Sequence, residues 1–428
     1  MSRIVGISRE KGRDVFVEML LALSLQIFAN DEMTGVATAR DGQIIPWVKR
    51  GVVTSVSSKI HPEEAKSLMG NCGIGYVSSC GLMMPEFCET GDGLAFAVAV
   101  DGSEIAQKQV VAAICKATTL RDGVIRAMKQ VSIPFALIAM SSLGEIVGAR
   151  RDGRKPLSVG KLDGGMYLSS QSGILDQGAE FLHSVWPGEI ITLGTYGYQR
   201  KAVLPVVDHS RCIDEVLFLQ RPGNICGGQS VEKIRIREGR ALGKLFLGLP
   251  FFNEDAEYLI MQIPDGGNYP AIGFASAHSF FKYDSSAQVK CRYVNVPNVP
   301  LPVKYSLNGW IPDQENPGKM TNIYFKGKRI VLVDDGLWSG SKLIHFRKML
   351  EQAGALEVHG VTVTVSCRSC PYGNDGHDLG SAPIGMGKSG QEIAKLLGLA
   401  SFNFLPEEEL IDSLGTPHRI YCTECLCY

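Results

Sequence analysis

The chain has no long apolar run. Its longest, ALIAM at 136–140 and VTVTV at 361–365, fall far short of the roughly 20 residues a membrane-spanning helix needs. The opening residues MSRIVGISREKG contain no apolar h-region, so no signal peptide is expected and a cytoplasmic protein is the default. There is no long basic run, and the formal net charge is -1. A nonspecific nucleic-acid binder carries its phosphate contacts as Lys and Arg excess, so that role is excluded as the main one. No internal repeat and no low-complexity linker break the sequence. The eight histidines are scattered and form no triad; His183, in AEFLHSVWPGEI, is read as a capping or packing residue.

What is present is a globular composition, 45% hydrophobic and 20% charged over 428 residues. That length allows two or three domains. Twelve cysteines are many for a reducing compartment, where structural disulfides are disfavoured. The clustered ones therefore point to metal. Isolated ones such as Cys72 and Cys115 are read as small buried hydrophobes.

The pattern changes near residue 205. Before it, short apolar runs separated by Gly and Asp (GLAFAVAVDG, PFALIAM, EIVGAR, GMYLSS, EIITLGTYG) predict antiparallel strands. Helical spacing occurs near 13–28 and 105–129. After residue 230 strands and helices alternate: a helix at 239–249, a strand at 257–264, a helix at 272–281, strands at 288–293 and 328–335, a helix at 341–354 and a strand at 356–366. Alternation of this kind predicts a parallel sheet with crossover helices.

Residues 329–343 read RIVLVDDGLWSGSKL. A buried strand runs into two carboxylates, then a small-residue loop, then a helix. Such a loop lies at the carboxyl edge of an open sheet, where ligands bind. Backbone N–H groups aimed by a helix N-terminus suit a phosphate, and Asp334 and Asp335 suit sugar hydroxyls or a Mg²⁺ bound to them. A plain strand–turn–helix with acidic surface residues fits the same spacing.

VLVDDGLWSGSK resembles the phosphoribosylpyrophosphate (PRPP) motif of type I phosphoribosyltransferases. GGMYLSSQSGILDQGAEFLHSVWPGEI, FLQRPGNICGGQSV, MQIPDGGNYPAIGFA, KGKRIVLVDD and RKMLEQAGALEVH are similar to the glutamine PRPP amidotransferase family, and the resemblance covers nearly the whole chain in the family's order. The resemblance implies an α+β and α/β chain. An N-terminal Ntn-hydrolase-like αββα sandwich over 1–205, glutaminase-like, would precede a phosphoribosyltransferase parallel-sheet domain with a cysteine-rich tail over 206–428. It implies that Asp334 and Asp335 bind ribose hydroxyls and that Ser339, Gly340, Ser341 and Lys342 surround the 5′-phosphate. Asp265 and Gly266 would sit at the pyrophosphate. Lys290 and Arg292 would neutralise the leaving group, with Mg²⁺ bridging hydroxyls and pyrophosphate.

Departures from the family narrow the function. The family has Arg where Ser339 stands and Thr where Ser341 and Lys342 stand. Its closing loop is replaced by NVPNVPLPVKYS. Its N-terminal cysteine nucleophile, whose own α-amine is the base, is replaced by Ser2. A His-Arg-Gly-Gln stretch becomes IFAND, the glutamine-binding Arg becomes Ser78, and the oxyanion Asn becomes Asp101, a charge of the wrong sign for that role. These changes imply a silent glutaminase domain kept as scaffold. The remaining domain would take ammonia, from solution or a separate supplying protein, or another small nucleophile. Two alternatives stand: a non-catalytic PRPP- or nucleotide-binding regulatory paralogue, and an intact amidotransferase using Ser2. Some family members hold a [4Fe–4S] cluster on four cysteines, and Cys212, Cys370, Cys422 and Cys425 stand at those places. Cys367 and Cys427 are possible substitutes, and Zn²⁺ on the same thiolates is the alternative. By resemblance the chain is a homo-oligomer, dimer or tetramer.

Overall fold

The computed structural model describes residues 2–26, 33–79, 84–89, 93–173, 178–205, 210–253, 255–263, 266–277, 281–282, 291–293, 305–307, 325–366, 370, 372, 383–415 and 420–426. For 281–282, 291–293 and 305–307 only the backbone is described.

The first half contains β1 (Ser2–Arg9), α1 (Phe16–Ser24), β2 (Met33–Arg40), β3 (Gln43–Arg50), α2 (Val53–Ser57), α3 (Pro62–Ser67), β4 (Cys72–Ser78), β5 (Glu86–Glu89) and β6 (Ala95–Gly102). It continues with α4 (Glu104–Ile114), α5 (Leu120–Gln130), β7 (Phe135–Ser141), β8 (Ile146–Arg150), β9 (Ser158–Leu162), β10 (Gly165–Ser169), β11 (Glu180–Ser184), β12 (Glu189–Leu193) and β13 (Tyr198–Ala202). Two antiparallel sheets form, in the orders β11-β9-β10-β1-β4-β2-β3 and β13-β12-β8-β7-β6-β5. Strand periodicity explains their stacking. On β1, Ile4 belongs to the core shared with β6, β7, α4 and α5, while Val5 and Ile7 face α1 and Trp47. Alternate residues of one strand thus serve two cores. The layers run helix, sheet, sheet, helix, the αββα sandwich. The sheets approach closely at Gly6, where a Cβ would meet Ile138 at 2.8 Å.

The second half opens with β14 (Arg211–Cys212), a π-helix (Glu215–Leu219), and the short strands β15 (Ile225–Cys226) and β16 (Gln229–Ser230). Then come α6 (Val231–Leu247), β17 (Tyr258–Gln262), α7 (Asn268–Ala275), β18 (Phe281–Lys282), β19 (Cys291–Tyr293) and β20 (Tyr305–Leu307). The chain closes with β21 (Arg329–Leu337), α8 (Ser341–Gln352), β22 (Glu357–Val365), α9 (Gly390–Leu397), β23 (Ser401–Phe404), α10 (Glu407–Ser413) and β24 (Tyr421–Cys422). A five-stranded parallel sheet runs β18-β17-β21-β22-β23. Its central strand β21 is buried on both faces: Val331 and Val333 face α6 and α7, and Ile330 and Leu332 face α8 and α9. A continuous apolar run is what such a strand requires.

Four expectations need correction. The helix expected from 239 begins at Val231, because the charged residues of VEKIRIRE keep an apolar stripe through Ile234 and Leu242. The helix expected at 272–281 is α7, which ends at Ala275. The strand expected at 288–293 does not join the main sheet; β19 pairs only with β20 in a small hairpin, and 288–290 lie outside the described residues. Cys115 is not an isolated hydrophobe. It stands at the end of α4 in a disulfide with Cys88 of β5, Cα to Cα 5.6 Å. Among the described residues no helix is long and apolar enough to cross a membrane.

Candidate functional site

β21 delivers Asp334 and Asp335 to the carboxyl edge of the parallel sheet. Asp334 is 4% exposed, and its carboxylate accepts the Asp335 backbone N–H at 3.0 Å. Burial first, and then the neighbouring Asp335 charge, raise the Asp334 pKa well above the usual carboxylate range, while Lys342 opposes them. A ligand that brings hydroxyl donors or a cation therefore meets a carboxylate with an unmet electrostatic need. Gly340 follows in the left-handed region (φ 71°) and caps α8. Only a residue without a Cβ enters that conformation without strain. The Ser339 and Ser341 hydroxyls bond each other at 2.5 Å, and the Ser341 N–H points to Ser339 Oγ at 3.4 Å. The first turn of α8 has no acidic residue, so no protein carboxylate offsets the positive end of the helix.

These residues line a pocket of about 770 Å³ walled by Phe218 and Trp338. Phe218 comes from the π-helix, and a Cβ on Gly336 would meet its ring at 2.6 Å. Gly266, in the loop after β17, abuts Asp335 so closely that a Cβ there would overlap its carboxylate. The structure thus brings together Asp334, Asp335, Gly266 and the 339–342 loop. Asp265, Lys290 and the Arg292 side chain lie outside the described residues, as do IFAND, Cys367, Cys427 and most of the 295–306 loop.

A second constellation sits at the start of β1. Ser2 (1% exposed) donates to Asp101 Oδ1 at 3.3 Å, and the Lys155 ammonium pairs with the same oxygen at 3.1 Å. All three are buried. Burial, the largest single influence, lowers the Lys155 pKa, but the Asp101 and Glu215 charges and the Asp101 hydrogen bond together outweigh it and the net shift is upward. Ser78 is fully buried on β4, directly opposite Ser2. The Asp101 charge is therefore not bare, as the sequence alone implied; Lys155 neutralises it. Next to Ser2, Arg3 is wholly buried. Its Nη1 and Nη2 donate to the two Glu215 oxygens at 3.1 and 2.9 Å.

The third group is the four cysteines. β14 and β24 run parallel with Cys212 opposite Cys422. Cys212, Cys370, Cys422 and Cys425 line one enclosed pocket of about 330 Å³ with Arg154 and Lys155. Burial, then Asp214, Cys212 and Cys370, push the Cys425 thiol up, so the pocket needs added positive charge before its thiolates form. Among the described residues no three His, Cys, Asp or Glu side chains converge on one metal position.

Arg3, Glu215, Lys155 and Phe218 were not among the residues singled out from the sequence. A charge inside the apolar run SRIVGIS was the one available signal. His183 packs as expected, with Nε2 2.7 Å from the Tyr198 hydroxyl.

No family model matches the chain. Sequence comparison relates its whole length to enzymes named amidophosphoribosyltransferase. The Methanocaldococcus jannaschii protein is 27% identical over 478 residues, covering 100% of this chain and 96% of its own. The Methanothermobacter thermautotrophicus protein is 26% identical, covering 99% and 93%. In fold, the chain is similar to the glutamine PRPP amidotransferase of Bacillus subtilis solved with ADP and GMP (TM-score 0.77, 21% identity, covering 99% and 96%). It is similar too to a structure described as the allosteric regulatory enzyme of purine biosynthesis (TM-score 0.80, 21% identity, covering 99% and 94%).

Proposed function

We propose that this chain, a member of the amidophosphoribosyltransferase family, is a PRPP-dependent phosphoribosyltransferase that has lost glutamine hydrolysis and uses ammonia or another small nucleophile to displace pyrophosphate. The observation that carries this reading is a contrast. The Asp334 pocket keeps its carboxylates and its α8 terminus, while Ser2 lies against Asp101, which pairs with Lys155.

In this reading Asp334 and Asp335 accept hydrogen bonds from the ribose hydroxyls and draw positive charge to the sugar as the anomeric bond breaks. The amides at 339–342 and the Lys342 ammonium hold the 5′-phosphate. Gly266 lets the pyrophosphate-side backbone lie against Asp335, with Asp265, Lys290 and Arg292 completing that side. Phe218 and Trp338 exclude water from the sugar. Mg²⁺, when bound with PRPP near Asp334 and Asp335, supplies neutralising charge on the pyrophosphate. Cys212, Cys370, Cys422 and Cys425 would hold a [4Fe–4S] cluster that ties the tail strand β24 to β14 and contributes folding free energy.

The test is pyrophosphate release from PRPP and Mg²⁺ by anaerobically purified protein, with glutamine, with ammonium and with a panel of amines. Release with ammonium and none with glutamine is expected. Release with glutamine, accompanied by glutamate, would restore the amidotransferase reading. PRPP binding without release under any condition would instead support a regulatory paralogue, a reading favoured by the Ser339–Ser341 hydroxyl pair occupying the phosphate loop.

A further inference from the structure

Between β8, β9, β14 and β15 lies a third cavity, apart from the Asp334 pocket. It is partly open to solvent, and about 60 Å³ of it admits the centres of water molecules. A water needs roughly 10–15 Å³ by that measure, so the space holds about four waters or one small polyatomic ion.

The charges around it do not balance. Two ion pairs lie beside it: Arg3 with Glu215 at 2.9 Å, and Arg154 with Asp152 at 3.3 Å. Arg150 and Arg211 remain. Arg150 is 7% exposed. It donates only to backbone carbonyls, those of Lys155 and Gly153 at 2.6 Å and of Val185 at 2.9 Å, and no carboxylate touches it among the described residues. Burial pulls its pKa down to about 10, and the facing Arg211 charge pulls the same way, against Cys226 and Asp152. Arg211 makes no hydrogen bond and no ion pair among the described residues. Its guanidinium lies over Gly227, where a Cβ would overlap it.

The rest of the wall carries serine hydroxyls, the Cys212 and Cys226 thiols, and the Glu215 carboxylate, whose oxygens are taken up by the Arg3 guanidinium and the Gln220 amide. Ser158, 4% exposed, lines it with Ser184, and neither hydroxyl has a partner among the described residues. Cys226 lies within the field of both guanidiniums. Two like charges facing one polar void cost free energy in a low-dielectric interior unless an opposite charge lies between them. A guanidinium presents a flat fork of donors, the geometry that carboxylate and phosphate oxygens accept.

We infer that this cavity binds one small oxyanion, of the phosphate or carboxylate class, between the Arg150 and Arg211 guanidiniums with the Ser158 and Ser184 hydroxyls as further donors. The site is separate from the PRPP reading and stands or falls without it. Because Arg211 precedes Cys212 and the same cavity is lined by Cys212, an anion there also sets the charge beside the cysteine pocket.

The experiment is site-resolved alkylation of Cys226 in the full chain, read by mass spectrometry. The protein is titrated with inorganic phosphate and, separately, with acetate, at constant ionic strength set with chloride. Thermal unfolding is followed in the same samples. Saturable protection of Cys226 with a rise in melting temperature is expected. Arg211→Met should weaken it at least tenfold, and Arg211→Lys less. Ser158→Ala, which keeps both guanidiniums, should weaken it several-fold and serves if the arginine variants do not fold. Phosphate bound at the 339–342 loop would raise the melting temperature yet leave Cys226 unprotected, and Ser341→Ala separates that case. Protection at lower phosphate than acetate identifies a tetrahedral oxyanion; the reverse identifies a carboxylate. No saturable protection by either ion, or protection unchanged in Arg211→Met, would overturn the assignment.

Discussion

Arg3 and Glu215, 212 positions apart, form a two-pronged ion pair buried from solvent, at 3.1 and 2.9 Å. Arg3 also donates to the Leu219 carbonyl at 3.3 Å, and Gln220 Nε2 supports Glu215 at 2.9 Å. The pair binds the first strand of the sandwich to the π-helix whose Phe218 walls the Asp334 pocket. Removing one partner of a buried pair strands the other charge and costs about 3–5 kcal/mol, whereas replacing both by apolar residues costs much less. Arg3→Met is therefore expected to lose about that much stability, and the Arg3→Met, Glu215→Met double variant to recover more than half. Urea unfolding of the four proteins checks it. A double variant whose loss equals the sum of the two single losses would mean the pair is not coupled.

Restoring the nucleophile should not restore glutamine hydrolysis. Ser2→Cys places a thiol at the head of β1, but the Asp101 carboxylate, paired with Lys155, stays beside it. An oxyanion there would form beside a carboxylate rather than a donor. Glutamate release by Ser2→Cys is expected at background, measured with glutamine alone and with PRPP present. Turnover of glutamine by this variant would show that the Asp101 carboxylate does not block it.

How much of this was legible follows from range. RIVLVDDGLWSGSKL could be read because strand, loop and helix are contiguous: apolar burial of Val331 and Val333, the Asp pair and the left-handed Gly340 all fall within twelve residues of one another. The antiparallel strands of the first half were legible as apolar runs separated by Gly and Asp, whereas the αββα layering was implied by the resemblance alone. Lys155, Glu215 and Phe218 were not legible. Their meaning depends on which distant strand end they meet, and nothing local in RDGRKPLSV or IDEVLFLQ encodes it. The Cys88–Cys115 disulfide was missed for the same reason: each cysteine alone resembles a small core residue, and only the packing of α4 on β5 and β6 brings them together.

The Gly266–Asp335 approach gives a sharp test of the pocket. Gly266→Ala places a methyl where the Asp335 carboxylate lies, so the carboxylate must swing away from the sugar position. PRPP turnover is expected to fall on the order of 10²-fold, as for loss of one preorganised polar group, with global stability changed by less than about 2 kcal/mol. Asp335→Asn should give a loss of similar size. Unchanged turnover in both would remove Asp335 from the reacting centre.

Metal content tests the cysteine pocket. Cys212→Ser and Cys422→Ser are each expected to cut iron and acid-labile sulfide per chain at least several-fold, because both residues sit on the paired strands β14 and β24. Cys226→Ser and Cys72→Ser, outside that pocket, should keep the wild-type content. Zinc without iron, in protein purified anaerobically, would assign the pocket to Zn²⁺ instead.

Glu238 provides a prediction in pH. It lies on α6, 1% exposed, and its Oε1 has no hydrogen-bond partner among the described residues. Burial pushes its pKa up to about 8; Arg235 opposes the rise and the Asp335 charge adds to it. A carboxyl whose folded pKa exceeds its unfolded value near 4.5 favours the folded state fully only below that value. Its stabilising contribution is lost as pH climbs to about 8, by roughly 5 kcal/mol at most from a shift of this size. Glu238→Gln carries a neutral side chain of the same shape across the whole range. Its stability should match that of the wild type near pH 4.5 and exceed it by several kcal/mol at pH 8.5, so the two curves diverge between those values. Urea midpoints at pH 4.5, 6.5 and 8.5 measure the divergence. Parallel curves would show that Glu238 is ionised in the folded protein, with the Arg235 guanidinium, rather than its own proton, offsetting the charge.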